Sequence, residues 1–296
     1  MSEERNEIMR GGAAVARQAH NLEVAGSTPA PATMQQTINK RLPVWARRVV
    51  FSGMCGSHVH GTFIPSADKH GTDDVDVFQV IAHPKVHYLG LPYYRRSLEA
   101  YQTHGESLDI VVHELAKYIY LCSQGNPNVN TYLWLEPVEY FSIALPGELL
   151  LAHREVFLSR RMFVAFGGYA YAQLKKMAAG VRLGYMGEKR KQLMGEYGYD
   201  IKNAAHCIRL FITGIRLAKE NRLVVRLAGD DLERVLRVKR GEHSAAEVER
   251  MATDLDAEFR AARIGSALPE QASPEAVDRL LRRTLEAHWD TLSETL

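Results

Sequence analysis

The chain has 296 residues, 46% hydrophobic and 24% charged, with 37 Lys and Arg against 35 Asp and Glu for a formal charge of +2. This length allows one large domain or two modest ones, and we expect two. The small net charge excludes a nucleic-acid binder defined by bulk charge alone, and no apolar run is long enough to cross a bilayer. Cys55, Cys122 and Cys207 lie far apart without a CxxC spacing, which argues against a disulfide framework or zinc knuckle and for a reducing compartment, the cytoplasm.

Residues 1–33 are expected to form a disordered tail, because Met9–Thr33 (MRGGAAVARQAHNLEVAGSTPAPAT) is rich in small residues and has no periodic apolar spacing. The same stretch admits the codons of a transfer RNA gene. AGSTPA can be encoded as GCGGG, TTCGACT and CCCGC, a stem around a T-loop, and QAHNL as a stem around CTCATAA, whose centre is a methionine anticodon. We read the segment as translated tRNA-gene sequence, with the working protein starting at or near Met34. A gene beside a tRNA locus suits a phage or mobile element, and the pairing of stems in the encoding DNA tests the reading.

A short basic amphipathic helix is expected over residues 35–47, then a buried strand carrying Val49, Val50 and Phe51. VDVFQVIAH (75–83) is the second strand, with Val75, Val77 and Gln79 alternating against Asp76, Phe78 and Val80; SLDIVVHEL (107–115) is the third. Leu115, Tyr118, Ile119 and Cys122 then fall at helical spacing, and Gly125 and Pro127 end that helix. Strands dominate up to about residue 113 and helical patterns follow. This is an α+β chain, a small mixed-sheet domain over 34–135 followed by a helical domain over 136–296.

In the helical half, 166–177 and 197–220 are the clearest helices. The second places Ile201, Ala205, Ile208, Ile212 and Ile215 on one side and Lys202, His206, Arg209, Thr213 and Arg216 on the other. Such a basic stripe suits a triphosphate or an RNA backbone; a solvated face is the alternative.

GSHVHGTFIPSADKHGTDDVDVF (56–78) concentrates the chemistry. Strand pleating predicts that Asp74 and Asp76 share one face while Asp73 points to the other. Two acids aimed at one point call for a cation between them, and Mg²⁺ meets that need with water and phosphate as its remaining ligands. Asp109 heads an apolar strand and could join them, so that three acids hold two metals. Gly56 permits a tight turn, and Ser57 with nearby backbone N–H groups can bind a phosphate. His58 and His60 offer a rival reading, since an HxH pair after a buried strand also opens metal-dependent hydrolases. Such a site needs further histidines, and His206 and His243 fall in the helical half, which makes the hydrolase the weaker alternative.

In order, these residues resemble the nucleotidyltransferases of the DNA polymerase beta superfamily. The longer series GSHVHGT, DDVDVFQV, LDIVVHELAKYIYLCSQGNPNV, FGGYAYAQLKKM, EYGYDIKNAAHCIRL and RVKRGEHS is similar to a predicted nucleotidyltransferase family that includes members associated with RNA ligase and RNA repair. The resemblance covers about 49–258. It implies a polymerase beta-like fold and active-site positions at Ser57, Asp74, Asp76 and Asp109. The three aspartates would be the catalytic, metal-binding residues for two Mg²⁺ or Mn²⁺ ions, with Gly56, Ser57, Lys202, His206 and Arg209 on the nucleotide. The implied reaction moves a nucleoside monophosphate from an NTP to an acceptor hydroxyl with release of pyrophosphate. RNA is the favoured acceptor and a protein hydroxyl its rival. Asp73 departs from the serine that relatives often carry, adding negative charge beside the metal pair. A non-catalytic nucleotide-binding module is a further alternative, disfavoured by retention of all three aspartates.

Overall fold

A computed structural model describes residues 31–89, 101–103, 108–179 and 187–293; the expected tail lies outside them as far as residue 30. Helix α1 (Pro31–Arg41) buries Met34 and Ile38, and Leu42 follows on the same side four residues on. Pro43 then ends the helical run, and a 3-10 turn (Val44–Arg47) leads into strand β1 (Val49–Met54).

The sheet has five strands in the order β3-β4-β2-β1-β5. Strand β2 (Val75–Ile81) lies antiparallel to β1 and parallel to β4 (Leu108–Glu114), so Asp76 stands level with Asp109. The edges are β3 (Tyr101–Thr103) and β5 (Tyr140–Ile143), both antiparallel to their neighbours. Neither edge strand is foreseen from the sequence, because three or four residues are too few to display a period of two. The fifth strand also carries the sheet beyond residue 135. Phe51, Phe78, Tyr118 and Tyr132 form an aromatic cluster in which Phe51 meets Phe78 and Tyr118 edge-on and the Phe78 and Tyr132 rings lie nearly parallel at 3.9 Å.

The other long helices are α2 (Leu115–Ser123), α3 (Leu145–Ala152), α4 (Arg161–Ala179), α5 (Glu188–Tyr197), α6 (Ile201–Glu220), α7 (Gly229–Lys239), α8 (Ala245–Ile264) and α9 (Pro274–Ser293). Helix α6 is the centre of the helical half and is buried on almost every side. Each fully buried Ile or Leu there contributes about 1.5–3 kcal/mol. Gly214 lets the Phe259 ring of α8 approach α6, where it meets Phe211 edge-on. Helix α9 returns to the sheet half, where Trp289 donates its indole N–H to the His83 carbonyl at 3.1 Å. No helix among the described residues is long and apolar enough to cross a membrane.

Candidate active site

Strand β1 runs into a tight turn. The Cys55 N–H still bonds to the Asp76 carbonyl at 2.9 Å, and the Ser57 carbonyl then accepts from the Thr62 N–H at 2.9 Å. Between them Gly56 has φ +65°, and a Cβ there would overlap the Asp76 carboxylate. Glycine is therefore needed for the backbone and for space, and it brings Ser57 close to Asp76.

Across this turn the ends of three helices close a cavity of about 320 Å³, lined among others by Gly56, Ser57, His60, Asp73, Asp76, Tyr132, Lys202, His206, Arg209 and Lys239. Asp200 fixes the start of α6. Its buried carboxylate caps the Lys202 and Asn203 N–H groups at 3.1 and 3.2 Å and is held by Arg190 at 2.6 Å. With that end pinned, Lys202 reaches the Thr72 carbonyl at 2.9 Å, and His206 and Arg209 follow on successive turns.

Asp73 does not follow the expected alternation. It precedes β2, where the backbone is not extended in the sheet, and its buried side chain enters the same cavity as Asp76. Its carboxylate accepts from the Ile64 N–H at 3.0 Å, pairs with Lys239, and has Lys202 3.4 Å away. Burial pushes its pKa up, but the two lysines outweigh that and hold it below the usual carboxylate range. Lys239 also donates to the Thr62 carbonyl at 2.6 Å. Sequence reasoning did not single out Lys239. Its one signal is a lysine placed next to Val235 and Val238 on the buried side of α7.

Asp74 is exposed, and neither it nor Asp109 is among the residues that line the cavity. Asp76 is half-buried, and its pKa is pushed up to about 6, first by burial and then by Asp109, Asp73 and Asp74, with Lys202 opposing. Among the described residues no group of three His, Cys, Asp or Glu side chains lies close enough to hold a metal ion. The register pair Asp76 and Asp109 nonetheless suits Mg²⁺, which binds through one or two carboxylates and completes its shell with water and substrate phosphates. Burial is the largest cause of the raised Asp76 pKa, ahead of the neighbouring carboxylates, and a cation bound beside it would offset both.

The remaining polar groups are short of anions. Ser57 Oγ and His206 Nε2 are buried without a hydrogen-bond partner. Arg209 is buried, with His60 Nδ1 at 3.5 Å, and burial lowers its pKa to about 10. Burial and the neighbouring Arg209 also drive His60 and His206 well below the ordinary histidine range. Of the opening histidines, His58 stacks on Phe63 at 3.7 Å, whereas His60 lines the cavity with its Nδ1 bonded to the Val225 carbonyl at 3.1 Å. From the basic stripe, Lys202, His206 and Arg209 reach the cavity, Thr213 is buried, and Arg216 pairs with Asp231 at 2.7 Å.

A small mixed sheet with paired aspartates beside a Gly-Ser turn, faced by helices carrying cations, defines a nucleotidyltransferase. The sequence matches the model of the RNA repair pathway DNA polymerase beta family over residues 31–283, and the chain belongs to that family. Among solved structures, a nucleotidyltransferase-like protein from Exiguobacterium sibiricum is 11% identical, with 88% of this chain and 79% of that one covered at a TM-score of 0.26. The CD-NTase CdnG of Bradyrhizobium diazoefficiens, solved with GTP, is 11% identical over 93% of this chain and 98% of its own, at a TM-score of 0.18. No curated protein matches the sequence significantly.

Proposed function

We propose that the cavity binds an NTP and that the protein transfers the nucleoside monophosphate to a hydroxyl of RNA, releasing pyrophosphate. The carrying observation is the separation of charge. Asp76 and its strand neighbour Asp109 stand on the sheet side, while Lys202, Arg209 and Lys239 come from the helices opposite. In this reading the triphosphate lies along the cations, and Ser57 Oγ and His206 Nε2, unpartnered in the free protein, meet its oxygens. Binding an anion next to His206 also favours its protonated, donating form.

Asp76 and Asp109 would hold Mg²⁺ or Mn²⁺, which would supply positive charge to the reacting phosphate, and the exposed Asp74 would have to turn inward to complete a site for two ions. The acceptor oxygen forms its bond to the α-phosphorus as the bond to pyrophosphate breaks. We place Asp109 on the acceptor side, where its carboxylate can accept the hydroxyl proton as the new bond forms. Lys202, Arg209 and Lys239 neutralise the charge that builds on the departing pyrophosphate. The two domains of this reading are the sheet half, which starts near residue 34 and extends past residue 135 to include β5, and the helical half after it, with residues of both lining the cavity.

Incubation with labelled NTPs, Mg²⁺ or Mn²⁺, and total RNA or total protein tests the proposal. Label should appear in RNA, and Asp76→Asn should abolish it. Label on protein alone would transfer the reading to the protein-hydroxyl rival, and no labelling with any NTP would refute it.

A further inference from the structure

The stretch Gly125–Tyr132 gives the active-site cavity three uncharged lining residues, Asn128, Thr131 and Tyr132. Its backbone is pinned from several directions. Gly125 has φ +75°, and a Cβ there would stand 2.8 Å from Met162 Cα, so the chain turns tight against the start of α4. Asn126 caps the single helical turn that follows (Pro127–Asn130). Its Oδ1 accepts from the Asn128 N–H at 3.0 Å while its Nδ2 donates to the Tyr169 hydroxyl of α4 at 3.1 Å. Asn130 donates to the Cys122 and Asn126 carbonyls at 3.1 and 2.9 Å, and the Tyr118 and Tyr140 hydroxyls donate to the Val129 and Tyr132 carbonyls at 3.1 and 2.8 Å.

Within this fixed frame the Asn128 side chain is left over. Its N–H is held by Asn126 and its carbonyl accepts from the Thr131 hydroxyl, yet its amide is exposed at the cavity and has no hydrogen-bond partner among the described residues. An amide offers a donor beside an acceptor, and on a backbone already immobilised it pays little further ordering on meeting a ligand. The charged lining lies deeper. In the reading above the triphosphate lies with Arg209 and Lys239, which are 7% and 4% exposed, so the ribose and base extend toward the open side where Asn128 stands.

We propose that Asn128 selects the NTP by pairing with the edge of its base. The inference rests on the reading that the cavity binds an NTP. The amide accepts from an amino group or ring N–H and donates to the ring nitrogen or carbonyl next to it, a two-bond contact that discriminates between bases by roughly 5- to 150-fold. An edge with two neighbouring acceptors leaves one amide group unpaired and binds more weakly.

Calorimetric titration of wild type and Asn128→Ala with ATP, GTP, CTP, UTP and inorganic tripolyphosphate, all with Mg²⁺, tests the assignment. Wild type should prefer one NTP over at least one other by about tenfold or more, and Asn128→Ala should bring all four within about threefold of one another. Tripolyphosphate affinity and melting temperature should not change, because alanine keeps the backbone bonds of the turn and the side chain is exposed. A wild type without preference, or a preference that survives in Asn128→Ala, would overturn the inference. An equal loss with all four NTPs would put the amide on the ribose and overturn it as well. Tripolyphosphate binding in either of these cases leaves the reading of the cavity standing, whereas wild type that binds neither NTP nor tripolyphosphate would overturn that reading and the inference with it.

Discussion

Lys239 and Asp73 provide a separation of folding from function. Both are less than a tenth exposed, and their contact joins α7 to the loop ahead of β2. Breaking one side of a buried pair strands the other charge and costs about 3–5 kcal/mol. After Lys239→Met the Asp73 carboxylate keeps the Ile64 N–H and has Lys202 at 3.4 Å, so the loss should fall at the lower end, about 3 kcal/mol. Asp73→Asn leaves Lys239 on the Thr62 carbonyl alone, and a similar loss is expected. Removing both charges replaces the ion pair by neutral groups of similar size and should cost about 1 kcal/mol or less, against roughly 6 kcal/mol if the single losses added. Urea unfolding at pH 7.5 measures all three. The folded pKa of Asp73 is depressed, so the wild-type advantage over Asp73→Asn is fully present above the unfolded aspartate pKa and disappears as pH falls through the folded one. If Lys239 meets the triphosphate, the double variant should fold like wild type yet bind NTP at least tenfold more weakly. A double variant that loses the sum of the single losses would refute the pairing, and one with unchanged NTP affinity would remove Lys239 from the nucleotide site.

Asp76→Asn should abolish transfer while stabilising the metal-free protein at high pH. The Asp76 pKa is raised to about 6, so its contribution to stability is present below the unfolded pKa and lost as pH rises through 6. Urea unfolding in EDTA should therefore show the Asn variant about 2–3 kcal/mol more stable at pH 8 and equal to wild type at pH 3; a gain independent of pH would exclude this cause. Gly56→Ala should cost about 1–2 kcal/mol through its left-handed backbone. By displacing Asp76 it should also lower kcat about 100-fold, whereas His58→Ala should lower it less. A chain beginning at Met34 keeps the buried Met34, Ile38 and Leu42, and calorimetry should place its melting temperature within about 3 °C of the full chain.

The parts of the fold legible in the sequence are those long enough to show their own period. Strands β1, β2 and β4 and helix α6 each carry several apolar residues at the right spacing, whereas β3 and β5 exist only because longer neighbours offer them an edge. Asp73 shows how a sound rule fails at a boundary. Alternation orients Asp76 inside β2, but three residues earlier the chain is held by Ile64, Lys202 and Lys239 instead of by sheet pairing.

The cations follow a different logic. A lysine or arginine on an amphipathic helix reads as a solvated face until the fold decides what covers it. Arg209 and Arg216 illustrate this on one helix: the first is buried in the cavity, and the second, two turns on, ends in an ion pair with Asp231. Asp76 and Lys239 stand far apart along the chain, so nothing local links the negative and positive halves of the site. The link is packing: α7 and α6 pack side by side, and from that position Lys239 and Lys202 both contact the loop that begins at the Gly-Ser turn. Because those same contacts close the cavity, a substitution that frees either lysine should loosen the union of the two halves as well as the grip on phosphate. That double consequence is why nucleotide affinity must be compared in the charge-free double variant, where neither Asp73 nor Lys239 is left as a stranded buried charge.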